Sequence, residues 1–358
     1  MNKELESRLN RIESALDTAL STEFSEQWRN SSFGKLSPSV TTEHINCLVR
    51  PNRNLIALGG KRWRPLLLVL CYQLAAENKK EVPVGENDIF SLTPLVEFVH
   101  TASLIHDDIE DSAEWRRGKP AAHKIYGIDT AINSASWLYF EAPVCINNQA
   151  FSDSLKLRLF EIYTEELRRL HLGQAMDISW HREPTLFPKT DEYMEMVRCK
   201  TGTLASLAAK TGFTAGGADK NECDRIGEIV AEIGIGFQII DDVINLTTGN
   251  SGKKRGDDIV EGKKSLPVLR HIKEFPGDKT VISELMEKAA EEGIESSAVE
   301  ECISVLEKGN CIKSAAEEGI RLIRKNCGEI ANFYPGNSGG IPELIEQLFT
   351  SMIPENFL

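Results

Sequence analysis

The sequence predicts an all-α protein. Apolar residues recur at three- and four-residue steps through most of the chain, alternating strand patterns are scarce, and the Gly-, Pro- and polar-rich interruptions are short. The 358 residues suffice for one large core or two ordinary ones. With no fixed-period repeat and no biased linker, they are expected to form a single domain over 1–358.

Taken in order, Leu5, Leu9, Ile12, Leu16 and Leu20 set the helical period of the first segment. The period returns over 65–76, 94–111, 155–172 and 224–246, and in several segments after 280. Segments 77–93, 180–190, 247–258 and 333–341 read as loops. Helix 94–111 opens on Thr93-Pro94, a capping hydroxyl followed by proline at the first helical position. Its buried face is expected to carry Leu95, Phe98, Val99, Ala102, Ile105 and Ile109.

A formal charge of −13 argues against a broad nucleic-acid or anionic-membrane surface, because both need clustered positive charge. Any anion site must be local. Eight cysteines are scattered without a C-x-x-C pair, and MNKELESRLNRIESAL lacks the apolar core of a signal peptide. Buried free thiols in a cytoplasmic protein are the expectation. No uninterrupted apolar run reaches the roughly 18–20 residues that cross a bilayer, so no transmembrane segment is expected.

The end of helix 94–111 reads LIHDDIEDSAEWRRGKP, residues 104–120. Asp107 and Asp111 fall one turn apart on one face, with Asp108 beside them and Glu110 nearby. Each like-charge neighbour costs about 0.2–0.5 kcal/mol in an isolated helix, so local energetics do not explain the cluster. One such triplet arises by chance about once in a chain this acidic. A second copy carries more weight: in GFQIIDDVINL (236–246), Asp241 and Asp242 are followed one turn later by the oxygen of Asn245. These acids interrupt an apolar helix, and a partly buried charge needs a partner. Paired carboxylates on two helices suit Mg²⁺, which takes one or two carboxylates and completes its shell with water and phosphate. Interhelical salt bridges are the alternative.

The cations gather into short motifs next to glycine: GGKRWRP (59–65), Arg116-Arg117, Lys200 before Thr201-Gly202, and GKKRGDDIVEGKKS (252–265). Arginine forks and lysine charges beside glycine-freed backbone are what phosphate binding requires. Asp257-Asp258 reads as a loop pair. Gly234 and Gly236, each costing about 1 kcal/mol relative to alanine in a helix, predict close helix packing or substrate approach.

From Gly59 to Pro267 these motifs resemble one family, the all-trans isoprenyl diphosphate synthases or polyprenyl synthetases. GGKRxRP, HxxSLIHDDxxD followed by RRGKP, GQxxD at 173–177, KTG, GFQxxDD and GKKS occur in that family's order. The resemblance implies a bundle of antiparallel helices around a deep central cavity, a homodimer, and Mg²⁺ as cofactor. It implies condensation of isopentenyl diphosphate with an allylic diphosphate by ionisation, condensation and elimination. Residue by residue it assigns Asp107, Asp108, Asp111, Asp241 and Asp242 to Mg²⁺, and Arg116, Lys200, Lys254 and Lys263 to the allylic diphosphate. Lys61, Arg64, His100 and Arg117 would hold isopentenyl diphosphate. Thr201 and Gln238 would orient dipoles toward the allylic carbons, and Gln174 and Asp177 would support the metal shell.

Ala102, five before the first aspartate, and Ser103 occupy the chain-length positions of the resemblance. Their small size leaves the channel open beyond fifteen carbons and favours geranylgeranyl diphosphate; longer polyprenyl or farnesyl products are the alternatives. Trp137, Tyr139 and Phe140 are further candidates for closing the cavity, with ordinary core as their plainer reading. Two features depart from the family: Asn245 replaces an aspartate, its amide oxygen still able to coordinate, and INSASWLYF replaces a Gly-Asp. A class I terpene cyclase would need serine and then glutamate at helical spacing in the second motif, where Gly249 stands. A di-iron oxidase would need paired Glu-x-x-His motifs, and only Glu97–His100 qualifies.

Overall fold

The computed structural model describes residues 3–77, 79–147, 150–249, 254–334 and 339–354. Residues 78, 250–253 and 335–338, among them Gly252 and Lys253 of the basic run and parts of three expected loops, lie outside them. The described residues are helical almost throughout, as the periodicity predicts. The chain's contacts divide into two compact units, Met1–Glu165 with Leu207–Gly227, and Glu166–Ser206 with Glu228–Leu358.

The first unit contains α1 (Lys3–Ala19), α2 (Glu26–Phe33), α3 (Thr42–Ala57), α4 (Trp63–Ala76), α5 (Pro94–Glu110), α6 (Ala122–Tyr126) and α7 (Ile128–Glu141). It also takes the start of α8 (Asp153–His181). The second contains the rest of α8, α9 (Thr190–Val197), the start of α10 (Thr203–Ala215) and most of α11 (Lys220–Thr247). It is completed by α12 (Asp257–Val260), α13 (Leu266–Glu274), α14 (Lys279–Glu292), α15 (Ser297–Leu306), α16 (Cys311–Phe333) and α17 (Ile341–Thr350).

In the first unit α5 packs against α7 and α4. Leu95, Phe98, Ala102 and Ile105 lie on one side of α5 and are fully buried. His100, Ser103, Leu104, Asp107 and Asp111 follow the opposite side at helical spacing, and all five are half-buried. The run Asp88–Glu110 is long and apolar enough to span a bilayer by length and composition, but 72% of its most apolar 18-residue stretch is buried inside the protein. In the second unit Leu246, Ile259, Val268, Ile282, Met286, Val299, Cys302 and Ile303 form a core under α11 to α15.

Three local expectations are corrected. Thr93 does not cap α5: its hydroxyl turns back to the Phe90 carbonyl at 2.6 Å, closing a 3₁₀ turn over Asp88–Leu92 inside a segment read as loop. Asp257 and Asp258 open α12 instead of sitting in a loop, and Asp258 is buried. Not every thiol is buried: all eight are free and six are buried, but Cys47 is exposed and Cys145 half-buried. The helical glycines are explained by packing, since a Cβ at Gly236 would lie 2.7 Å from the Gly319 carbonyl oxygen, and one at Gly234 would lie 3.0 Å from Gly202 Cα.

Candidate active site

In the first unit the adjacent arginines part company. Trp115–Arg116 and Lys119–Pro120 pair antiparallel, leaving Arg117 and Gly118 as a two-residue turn. Both have positive φ, 52° and 73°, which tight hairpins favour because the turn then matches strand twist. Arg116, on the strand, donates through Nε to Asp108 Oδ1 at 2.7 Å, and its Nη2 lies 3.7 Å from Asp107 Oδ2. This cation offsets the repulsion among the acids that end α5. Arg117, at the turn, donates to the Gly59 carbonyl of the GGKRWRP loop. A Cβ at Gly60 would come within 3.1 Å of the Arg117 Nη2, so glycine there makes room for the guanidinium.

Arg62, the central cation of that loop, is buried and left-handed (φ 46°). It donates to Glu97 Oε1 at 2.7 Å, to Glu13 Oε1 at 2.8 Å and to the Ile56 carbonyl at 2.6 Å, a buttressing set. Arg64 Nη1 lies 3.5 Å from His100 Nε2. Burial, and then the charges of Arg64, Arg117, Arg116 and Arg62, hold His100 well below the usual imidazole range. Burial likewise lowers Arg117, with Arg62 and Arg116 adding to it. Lys61 is exposed at the same loop. Arg64, His100 and Arg117 thus share one cationic neighbourhood carrying a neutral imidazole, chemistry that suits a polyanion.

The second unit builds its motifs onto α8, α9, α11 and a five-residue π-turn, Arg198–Gly202, that carries Lys200-Thr201-Gly202. Such turns re-aim side chains within a helical run. The Lys200 Nζ donates to Asp177 Oδ2 at 2.7 Å. The Thr201 hydroxyl donates to Gln238 Oε1 at 2.9 Å, and Gln238 Nε2 donates to Asp242 Oδ1 at 2.9 Å. The Tyr193 hydroxyl completes the series by donating to Asp242 Oδ2 at 2.6 Å. Gly202 lets α11 approach, since a Cβ there would lie 3.0 Å from the Ala231 carbonyl oxygen.

Asp242 is buried, whereas Asp241 is half-buried. Burial and then neighbouring Asp258 push the Asp242 carboxyl up to about 7, against the hydrogen bonds from Tyr193 and Gln238. A carboxyl so placed, with Asp241 and Asp258 close by, calls for positive charge. Hard oxygen donors without thiolate or imidazole are the set Mg²⁺ takes. Among the described residues no three His, Cys, Asp or Glu side chains converge in ion-holding geometry.

Several predicted residues are engaged elsewhere. Asn245 is not turned outward as a ligand: it is buried and its Oδ1 accepts from the Asp258 backbone N–H at 3.1 Å, pinning α12 to α11. Lys254 is exposed and paired with Glu295. Lys263 pairs with Glu261 and lies 4.0 Å from Asp258 Oδ1. Ala102 is in the closed core of α5, while the Ser103 hydroxyl donates to the His100 carbonyl at 2.8 Å. Tyr139 stacks on His106 with centroids 5.6 Å apart, Trp137 stacks on Phe33 at 5.9 Å, and Phe140 is 79% exposed. Sequence reasoning missed Tyr193, the buried pairing of Glu97 with Arg62 and the burial of Asp258. Tyr193 sits seven residues before Lys200 in a helical pattern, where an aromatic reads as core.

The profile of the Polyprenyl synthetase family matches residues 45–305. The chain is 36% identical over 313 residues to geranylgeranyl pyrophosphate synthase dpmaD of Metarhizium anisopliae, covering 87% of this chain and 89% of that protein. It is 38% identical over 221 residues to geranylgeranyl pyrophosphate synthase dpasD of Apiospora sacchari, covering 61% of this chain and 63% of that one, so the match spans less than two thirds of that relative's length. The crystal structure of geranylgeranyl pyrophosphate synthetase from Pyrococcus horikoshii superposes with a TM-score of 0.80 at 26% identity, over 99% of this chain and 98% of that one. With its motifs, its helical architecture and these likenesses in agreement, the chain belongs to the polyprenyl synthetase family.

Proposed function

We propose that the protein is a Mg²⁺-dependent prenyltransferase that condenses isopentenyl diphosphate with an allylic diphosphate, giving geranylgeranyl diphosphate. The observation that carries the reading is the separation of roles in the two units. The first presents a cationic neighbourhood of Arg64, Arg117 and neutral His100, while the second presents Lys200 beside a relay of hydrogen bonds ending on Thr201.

When bound, Mg²⁺ supplies positive charge to the departing diphosphate. Its proposed ligands are Asp107, Asp108 and Asp111 in the first unit and Asp241 and Asp242 in the second. Lys200, aimed by Asp177, adds a cation to the allylic diphosphate as the C–O bond ionises. The Thr201 hydrogen is spent on Gln238, which leaves the oxygen lone pairs for the positive charge developing on the allylic carbons. Arg64, Arg117, Lys61 and His100 hold isopentenyl diphosphate so that its double bond attacks the carbocation. The proton then lost passes to the released diphosphate. No side-chain nucleophile is used.

Residues 1–358 act as one functional domain in this proposal, working in the cytoplasm as a homodimer. Exposed Ile128, Ile132 and Phe140 along α7, continued by Ile125 of α6, support a second copy as partner, because so many large apolar groups on one helix are unusual on a free surface. The experiment supplies isopentenyl diphosphate and Mg²⁺ with five-, ten- or fifteen-carbon allylic diphosphates and reads product mass. A twenty-carbon diphosphate is expected; no condensation with any primer overturns the reaction, and a different length overturns only the product.

A further inference from the structure

We infer that Tyr193 is a positioning residue for the allylic half of the reaction, setting the direction of the Thr201–Gln238–Asp242 relay. This rests on the prenyltransferase reading above.

The relay has a sense that follows from which groups can donate. A phenol hydroxyl has one hydrogen, and Tyr193 gives it to Asp242 Oδ2 at 2.6 Å. The other carboxylate oxygen, Oδ1, accepts from Gln238 Nε2 at 2.9 Å, which turns the NH₂ side of the amide toward Asp242. That leaves the Gln238 oxygen facing Thr201, whose hydroxyl donates to it at 2.9 Å. Each step dictates the next, and the last one fixes which way the Thr201 oxygen presents its lone pairs. Tyr193 is the anchor because it comes from another element, α9, is buried at 1% exposure, and is held by the packing of that helix. Without its hydroxyl, Asp242 keeps Gln238 alone as partner on the described hydrogen-bond path and can rotate about its side-chain torsions, and the amide is released to turn with it.

Tyr193 touches neither substrate nor reacting atoms in this account. It acts through Asp242, so its loss should strike the allylic ionisation step and metal affinity and spare the isopentenyl diphosphate side, whose proposed residues belong to the first unit.

The test is Tyr193→Phe in the full-length protein, read by steady-state kinetics and by Mn²⁺ titration with inorganic pyrophosphate, followed by electron paramagnetic resonance. Expected are a kcat lower by about tenfold or more, KM for isopentenyl diphosphate within about twofold, and Mn²⁺ affinity weaker by about fivefold or more. Tyr163→Phe is the control, since that buried hydroxyl donates to the Tyr139 backbone carbonyl in the first unit; it should leave all three near the parent values. The double variant Tyr193→Phe/Asp242→Asn removes the carboxylate charge that the single variant strands, so it keeps the test readable if the single variant does not fold. It should match Asp242→Asn alone, because a residue that acts only through Asp242 has nothing to add once Asp242 is neutral. Parent-like kcat and Mn²⁺ affinity in folded Tyr193→Phe, an equal loss in Tyr163→Phe, or a further tenfold loss in the double variant over Asp242→Asn would each overturn the inference. A parent protein that binds Mn²⁺ with pyrophosphate but condenses nothing would instead count against the prenyltransferase reading.

Discussion

Arg62 and Glu97 form an ion pair at 2.7 Å with both side chains 3% exposed, and it ties the GGKRWRP loop to the first turn of α5. Burial raises the Glu97 carboxyl, and the charge of Arg62, with Arg64 and Arg117 behind it, works against that rise. Removing one partner of such a pair strands the other charge, which costs about 3–5 kcal/mol. Glu13 still accepts from Arg62, so Glu97→Ala should fall near the lower end. Urea unfolding checks it: a loss under about 1 kcal/mol would mean that the loop relaxes and lets the guanidinium reach water. Replacing both partners, as in Arg62→Met/Glu97→Leu, should recover part of the loss.

The Lys200–Asp177 pair leads to a kinetic prediction. Asp177 holds the ammonium at 2.7 Å from α8, and a Cβ at neighbouring Gly173 would strike the backbone at Cys199 and Lys200, so the two segments are seated tightly together. Asp177→Asn keeps the shape and removes the charge that aims Lys200. It should lower kcat/KM for the allylic substrate by about 10- to 100-fold with KM for isopentenyl diphosphate unchanged. Equal losses on both substrates would place Asp177 in the general fold and not in the support of Lys200.

Why some of this was legible beforehand and some was not follows from what each residue does. Helices show in the sequence because burial of one face imposes a period, as in Leu95, Phe98, Ala102 and Ile105 of α5. The acids, glycines and arginines stand out because their residue types are costly or unusual where they sit. Arg116 and Arg117 are adjacent in sequence yet serve different partners, a split created by a two-residue turn that no periodicity reports. Tyr193 and Glu97 act through long-range partners 49 and 35 positions away. Asn245 looked like a ligand because its spacing is right; its partner, the Asp258 N–H, exists only once α12 has formed. Thr93 fails as a cap for a similar reason, the 3₁₀ turn before it having taken its hydroxyl.

Glu141 gives the protein a pH dependence remote from the acidic motifs. Burial at the end of α7 pushes its carboxyl up to about 7 from 4.5, although the Ser32 hydroxyl donates to it at 2.6 Å. The fold therefore favours the protonated acid. Its contribution is intact below about pH 4.5, declines as pH rises through about 7, and is flat above that. Gln mimics the protonated form, so Glu141→Gln should match the parent near pH 4.5 and exceed it at pH 8 by up to about 3 kcal/mol. Thermal melts of both proteins across that range check the sign; a variant less stable than the parent at pH 8 would show that the carboxylate is solvated or paired.

Product length is predicted to answer to Ser103 more than to Ala102. The two are consecutive, so they project from α5 about 100° apart. Ala102 lies on the same side of α5 as Leu95, Phe98 and Ile105 and is, like them, fully buried. Ser103 belongs with His100, Asp107 and Asp111 on the half-buried side, one turn before the first aspartate. A ring at 103 would stand where a growing chain leaves the diphosphate-binding end of that face, whereas a ring at 102 must force its way into a closed core. Ser103→Phe should shift the main product from twenty carbons toward fifteen with the fold intact. Ala102→Tyr should overpack, lowering stability by about 1–3 kcal/mol, and change chain length only through that distortion. Product masses and melting midpoints measured side by side decide it: a clean fifteen-carbon product from a stable Ala102→Tyr protein, with Ser103→Phe unchanged, would mean that the enclosed side of α5 opens to the chain during elongation.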